Sequence, residues 1–120
     1  MKLINKLKDA FTVTDFNIEG TMKVNELCKE FRKSFGLSLR VYKGKILADD
    51  GRMTIKSLDQ RTNTTVNFDN GKLVIRANQN IGDVEQAFLN HFGIIVQIAD
   101  AGNKKLLSND LSLGNARRQE

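Results

Sequence analysis

Residues able to do covalent, acid-base or metal chemistry are sparse in this chain: one cysteine, Cys28, one histidine, His91, and one adjacent pair of acids, Asp49-Asp50. A nucleophilic thiol needs a base beside it to become a thiolate at neutral pH. His91 sits on a different predicted helix from Cys28, so the spacing offers no such pair, and it lies off the apolar stripe of its helix as a solvent-facing residue. The acids Asp49 and Asp50 recur as Asn109-Asp110, but they lack the glycine and the additional oxygen ligands of a calcium loop. Their expected role is to cap the following turn by accepting backbone N–H bonds, with Thr54 or Ser112 assisting. No phosphate-binding glycine loop, dinucleotide fingerprint, Gly-x-Ser-x-Gly elbow or His-Glu-x-x-His is present. The sequence therefore predicts no catalytic, metal or cofactor-binding residue, and a protein that is not an enzyme.

Binding chemistry is better represented. Lys29, Arg32, Lys33, Arg40, Tyr42, Lys43 and Lys45 gather positive charge and the only tyrosine into one stretch. Cations with interleaved aromatics are what nucleic-acid binding uses, the cations meeting phosphates and the rings stacking on bases. Against that reading, Phe16, Phe31, Phe35, Phe88 and Phe92 all fall at predicted core positions, which leaves no aromatic platform.

The elements that must position these residues follow from periodicity. A constant offset of 57 residues aligns Phe16 to Gly44 with Leu73 to Ala101 without a gap. Ile18/Ile75, Phe31/Phe88, Phe35/Phe92 and Gly36/Gly93 are identical, and Val24/Ile81, Leu27/Val84, Leu37/Ile94, Leu39/Val96 and Val41/Ile98 are apolar in both. Val24, Leu27, Phe31 and Phe35 fall on one stripe of a helix, as do Ile81, Val84, Phe88 and Phe92. Gly36 and Gly93 supply the left-handed residue that ends a helix. FNIEG, KLVIRA, LSLRVY and IIVQIA read as strands. After the aligned block the second copy has a longer connection, AGNKKLL for GKIL; beyond it Leu47 matches Leu107, Asp50 matches Asp110 and Thr54-Ile55 parallels Ser112-Leu113, with Gly51-Arg52 unmatched. The second copy replaces Arg40 and Lys43 with Gln97 and Asp100, so the shared residues concern core and turns, and the cations belong to the first copy.

The predicted fold is α+β: an internal duplication of a β-α-β-β unit forming an antiparallel or mixed sheet with one helix per unit, preceded by an N-terminal helix. One domain is expected over 1–120, with the amphipathic helix at 1–11, the first unit at 15–58, a hairpin strand and the second unit at 64–116, and a tail at 117–120 within a frayed GNARRQE. The hairpin rests on Asn70-Gly71, the strongest short hairpin signal.

The stretch GKILADDGRMTIKSLDQ, residues 44–60, resembles the segment of ubiquitin-like proteins in which a short strand leads into an acidic-Asp-Gly-Arg turn and a Thr-Leu step. The resemblance implies a β-grasp fold as an alternative architecture. It carries no functional residue, because the C-terminal Gly-Gly of conjugated members is missing.

Composition bounds the rest. A single cysteine excludes an internal disulfide, no window is apolar for the length a bilayer requires, and the N-terminus lacks a signal peptide's apolar stretch. A cytoplasmic protein without membrane insertion is expected. The net charge of +5 lies mainly in residues 1–60, with 12 Lys/Arg against 8 Asp/Glu, compared with 7 against 6 in residues 61–120. Together these features point to a non-catalytic binding or adaptor protein acting through protein contacts, a second copy of the chain included. The alternative is a small basic nucleic-acid-binding protein using the first unit's surface.

Overall fold

A computed structural model describes residues 2–48, 51–58 and 65–118, the first five by backbone alone. Along the chain run α1 (Lys2–Phe11), β1 (Val13–Phe16), α2 (Val24–Phe35), β2 (Ser38–Lys43), β3 (Ile46–Leu47), a 3-10 turn (Ile55–Leu58), β4 (Leu73–Arg76), α3 (Ile81–Phe92), β5 (Ile95–Ala99) and α4 (Leu113–Arg118). The fold is α+β, with β1 and β4 forming an antiparallel ribbon and β3-β2-β5 an antiparallel sheet. Among the described residues no helix is long and apolar enough to cross a membrane.

Both long helices bury the stripe their spacing predicts: Val24, Leu27, Phe31 and Phe35 on α2, and Ile81, Val84, Phe88 and Phe92 on α3. Each ends at a glycine in the left-handed region, Gly36 at φ 70° and Gly93 at φ 71°, where a side chain would be strained. At the start of α2 the Glu26 N–H donates to the Lys23 carbonyl, and the Glu26 carboxylate accepts the Lys23 N–H in return. Phe16 of β1 lies between the helices, 6.0 Å from the Phe31 ring and 5.5 Å from the Phe88 ring. Burying each of these rings contributes roughly 2–3 kcal/mol.

The β1–β4 and β2–β5 ladders each contain one pair of residues separated by the 57-residue offset. Arg40 of β2 faces Gln97 of β5, and Phe16 of β1 faces Leu73 of β4, each 57 residues apart. Backbone bonds recur across the halves as well. Val24 N–H donates to Met53 O as Ile81 N–H does to Leu111 O, and Ile55 N–H to Met22 O as Leu113 N–H does to Gln79 O. These bonds place Gly51 opposite Asn109 in the correspondence, since Asn25 N–H donates to Gly51 O and Gly82 N–H to Asn109 O. Leu47, bridging Tyr42, corresponds to Leu106, bridging Ala99. In bonding pattern, then, Leu106 rather than Leu107 parallels Leu47, and Asn109 parallels Gly51, which the sequence alignment leaves unmatched. Hydrogen bonding tracks the strand edge, which a short alignment through an insertion does not see.

Three local expectations are corrected. No strand precedes Asn70-Gly71 over 65–69, so the hairpin does not form. Instead Asn67 N–H donates to Phe92 O, Asn70 Nδ2 donates to His91 O and Val66 is buried, which ties this segment to the end of α3 and leaves β4 to pair with β1. The first strand is Val13–Phe16 and not the FNIEG segment 16–20, of which it keeps only Phe16, because the partners that β4 supplies run from Val13 to Phe16. Residues 114–118 of the expected tail are not frayed: Leu113, Gly114 and Ala116 are buried in α4, with Leu113 bonded as Ile55 is, while residues 119–120 lie outside the described residues.

Candidate functional site

Beside the buried stripe of α2, a second stripe of Asn25, Cys28, Lys29 and Arg32 follows helical spacing and lines a groove of about 300 Å³ against β2. The opposite wall carries Ser38, Arg40 and Asn103. The two guanidiniums are held by neutral groups. Arg32 Nη2 donates to Ser38 Oγ at 2.6 Å, and that hydroxyl donates to Ala101 O at 3.3 Å. Arg40 Nε donates to Asn103 Oδ1 at 2.7 Å and its Nη2 to Asn103 O at 3.1 Å. Asn103 belongs to the longer connection of the second half and has φ 55°, a left-handed conformation that asparagine tolerates better than most residues. The connection after β5 thus orients a cation of β2.

At the bottom of this groove the Cys28 thiol donates to Leu39 O at 3.3 Å. Burial pushes its pKa up to about 11 despite the nearby Arg32 charge, so the thiol is protonated at neutral pH and is no nucleophile.

The counterpart groove lies between α3 and β5, with a volume of about 570 Å³. Its helix stripe is Gly82, Glu85, Gln86 and Leu89, each 57 residues after Asn25, Cys28, Lys29 and Arg32, and Gln97 stands where Arg40 stands. Where the thiol meets a strand carbonyl in the first groove, Glu85 Oε2 accepts the Ile98 N–H at 2.8 Å in the second. Burial raises the Glu85 carboxyl above its ordinary range, partly offset by that bond. Tyr42 donates to Gln97 Oε1 at 2.6 Å and, with Lys45, forms the far wall.

Compared with known proteins, the chain matches no family model, no curated protein and no solved structure. The chemistry of the grooves must therefore be read from their residues.

The seven residues singled out by sequence are divided by the fold. Lys29, Arg32 and Arg40 line the first groove, Tyr42 and Lys45 the second, and Lys33 and Lys43 are exposed and line neither. Ser38, Asn103 and Asn25 were not among the residues marked by sequence; only the length of the AGNKKLL connection hinted at Asn103. His91 is half-buried, with Nε2 3.0 Å from Gly71 O and its ring edge-on to Phe92. It helps hold the turn before β4. Asp49 and Asp50 lie outside the described residues. The cap expected of Asp110 is made by Ser112, whose hydroxyl accepts the Asn115 N–H at 3.1 Å, because it sits directly before α4. Among the described residues no three His, Cys, Asp or Glu side chains come together as metal ligands.

A different surface also emerges. Leu7 and Phe11, the end of the amphipathic stripe of α1, are 55% and 80% exposed, and Val13 and Val74 on the outer face of the β1–β4 ribbon are each 44% exposed. Asp15 and Arg76 share that outer face, with Asp15 opposite Val74 and Arg76 opposite Val13.

Proposed function

We propose that this chain is a non-catalytic binding module that docks another protein chain, a second copy of itself being the simplest, through the end of α1 and the outer face of the β1–β4 ribbon. The observation that carries this reading is the exposure of Phe11. An aromatic ring left in water beside further apolar residues forgoes roughly 2 kcal/mol that a partner surface would recover, and aromatic anchors of this kind dominate interface energetics. The flanking Asp15 and Arg76 suit a two-fold contact, in which each would meet the opposite charge on the other copy.

Size-exclusion chromatography with light scattering tests the self-associating form. Wild type is expected to show a concentration-dependent dimer at high micromolar concentration, and Phe11→Ser to shift it to monomer. Monomer only for wild type, together with identical capture of lysate proteins by wild type and Phe11→Ser, would remove the reading. Nucleic-acid binding over the seven cationic and aromatic residues is less well supported, because they are divided between two grooves and the open surface.

A further inference from the structure

We propose that the groove between α2 and β2 binds a small molecule carrying a phosphate or diphosphate group. The molecule contains its own control for this inference, since the two grooves occupy equivalent places against equivalent strands and differ in side chains. In the first groove Lys29, Arg32 and Arg40 stand where the second has Gln86, Leu89 and Gln97. Three cations therefore line the first groove at positions where the second carries neutral side chains.

Among the described residues, the groups that orient the two guanidiniums leave that charge unpaired. Arg32 is steered by a hydroxyl and Arg40 by an amide and a carbonyl, all neutral, and no carboxylate is among the described residues lining the groove. A guanidinium paired with a carboxylate spends its charge inside the protein. One oriented by neutral acceptors keeps it for a ligand, at little further loss of rotamer freedom on binding. With Nε and Nη2 of Arg40 directed to Asn103, the Nη1 amino group has no acceptor among the described residues, and Arg32 uses one donor of its five-donor fork. Such forks match the oxygens of a phosphate, and two guanidiniums with an ammonium balance the charge of a diphosphate better than that of one carboxylate. The volume of about 300 Å³ suits a ligand of small-metabolite size. Lys33 and Lys43, which a nucleic-acid strand would need to track, lie outside it.

The test uses the full chain and inorganic pyrophosphate, ADP and a single-stranded oligonucleotide as probes at about 0.15 M salt. Chemical shifts should move for the amides of Lys29, Arg32, Ser38, Arg40 and Asn103 on adding pyrophosphate or ADP. The variant Arg32→Leu/Arg40→Gln installs residues that the equivalent groove already accommodates, so the fold is expected to survive; its Kd should rise roughly tenfold or more. Lys33→Gln/Lys43→Gln removes the same net charge outside the groove and should change Kd less than about twofold. Shifts spread evenly over the basic surface, equal losses in both double variants, or no saturable binding overturn the proposal. Oligonucleotide binding tighter than either small probe and dependent on Lys33 and Lys43 overturns it as well, in favour of a nucleic-acid interface. If Arg32→Leu/Arg40→Gln proves unfolded, Arg40→Lys decides: it keeps the charge and loses the fork, and an unchanged Kd argues against guanidinium recognition of phosphate.

Discussion

Asp9 near the start of the chain and Arg118 at the end of α4 form a two-pronged ion pair, Nη1 to Oδ1 at 3.0 Å and Nη2 to Oδ2 at 2.8 Å. The Asp9 side chain is only 9% exposed, so its carboxylate depends on this partner for the hydrogen bonds water would otherwise supply. Arg118→Ala is expected to lower stability by about 1–3 kcal/mol, read as a drop in the urea midpoint without change in slope. Asp9→Asn should fall in the same range. Their double variant should lose less than the sum, because both remove one interaction.

Gly114 permits that pair. A Cβ at this position would collide with the Asp9 carboxylate, which sits against the backbone of α4. Gly114→Ala should therefore destabilise by about 1–3 kcal/mol although alanine favours helix, and adding Asp9→Ala should recover part of the loss. Calorimetric melting of the three variants distinguishes this from a generic effect of the glycine, which would leave the two changes additive.

Cys28 should make the protein sensitive to alkali. Its folded pKa is raised from 9.0 to about 11 by burial, so the folded state holds the proton more tightly than the unfolded one. The sign follows: its contribution is fully present below pH 9 and is lost as pH rises from about 9 through about 11, by roughly 2–3 kcal/mol if no other group compensates. Cys28→Ser, which keeps a donor toward Leu39 O and does not ionise there, should flatten the alkaline limb of a stability profile. An identical limb in both proteins would count against the buried thiol as its cause.

Gly93 and Gly36 end their helices in the same conformation but should respond differently to alanine. Both would incur left-handed strain of about 1 kcal/mol. At Gly93 the added methyl would also collide with the Thr65 carbonyl, a backbone atom, whereas at Gly36 it would meet the movable Arg117 side chain. Gly93→Ala should thus lower the thermal midpoint more than Gly36→Ala. Equal shifts would mean that the 65–67 segment gives way freely, against its bond from Asn67 to Phe92.

The amino-acid sequence by itself determined the α+β class, the two long helices, their buried stripes and their glycine stops, because each follows from side-chain spacing within a dozen residues. It also marked Arg40 against Gln97 as a difference between the halves. What it left open was which element meets which. Asn70-Gly71 carried a genuine local preference for a hairpin, yet β4 pairs with β1, as Val66 and Asn67 are held by α3 and the Phe16–Leu73 register closes the core. Likewise, nearness in sequence gathered seven cationic or aromatic residues into one stretch, and only the packing of α2 on β2 and the reach of Asn103 across to Arg40 decided that three of them line one groove. Local free energies choose the conformation of a segment; burial and charge orientation between distant segments choose its neighbours, and those neighbours define the site.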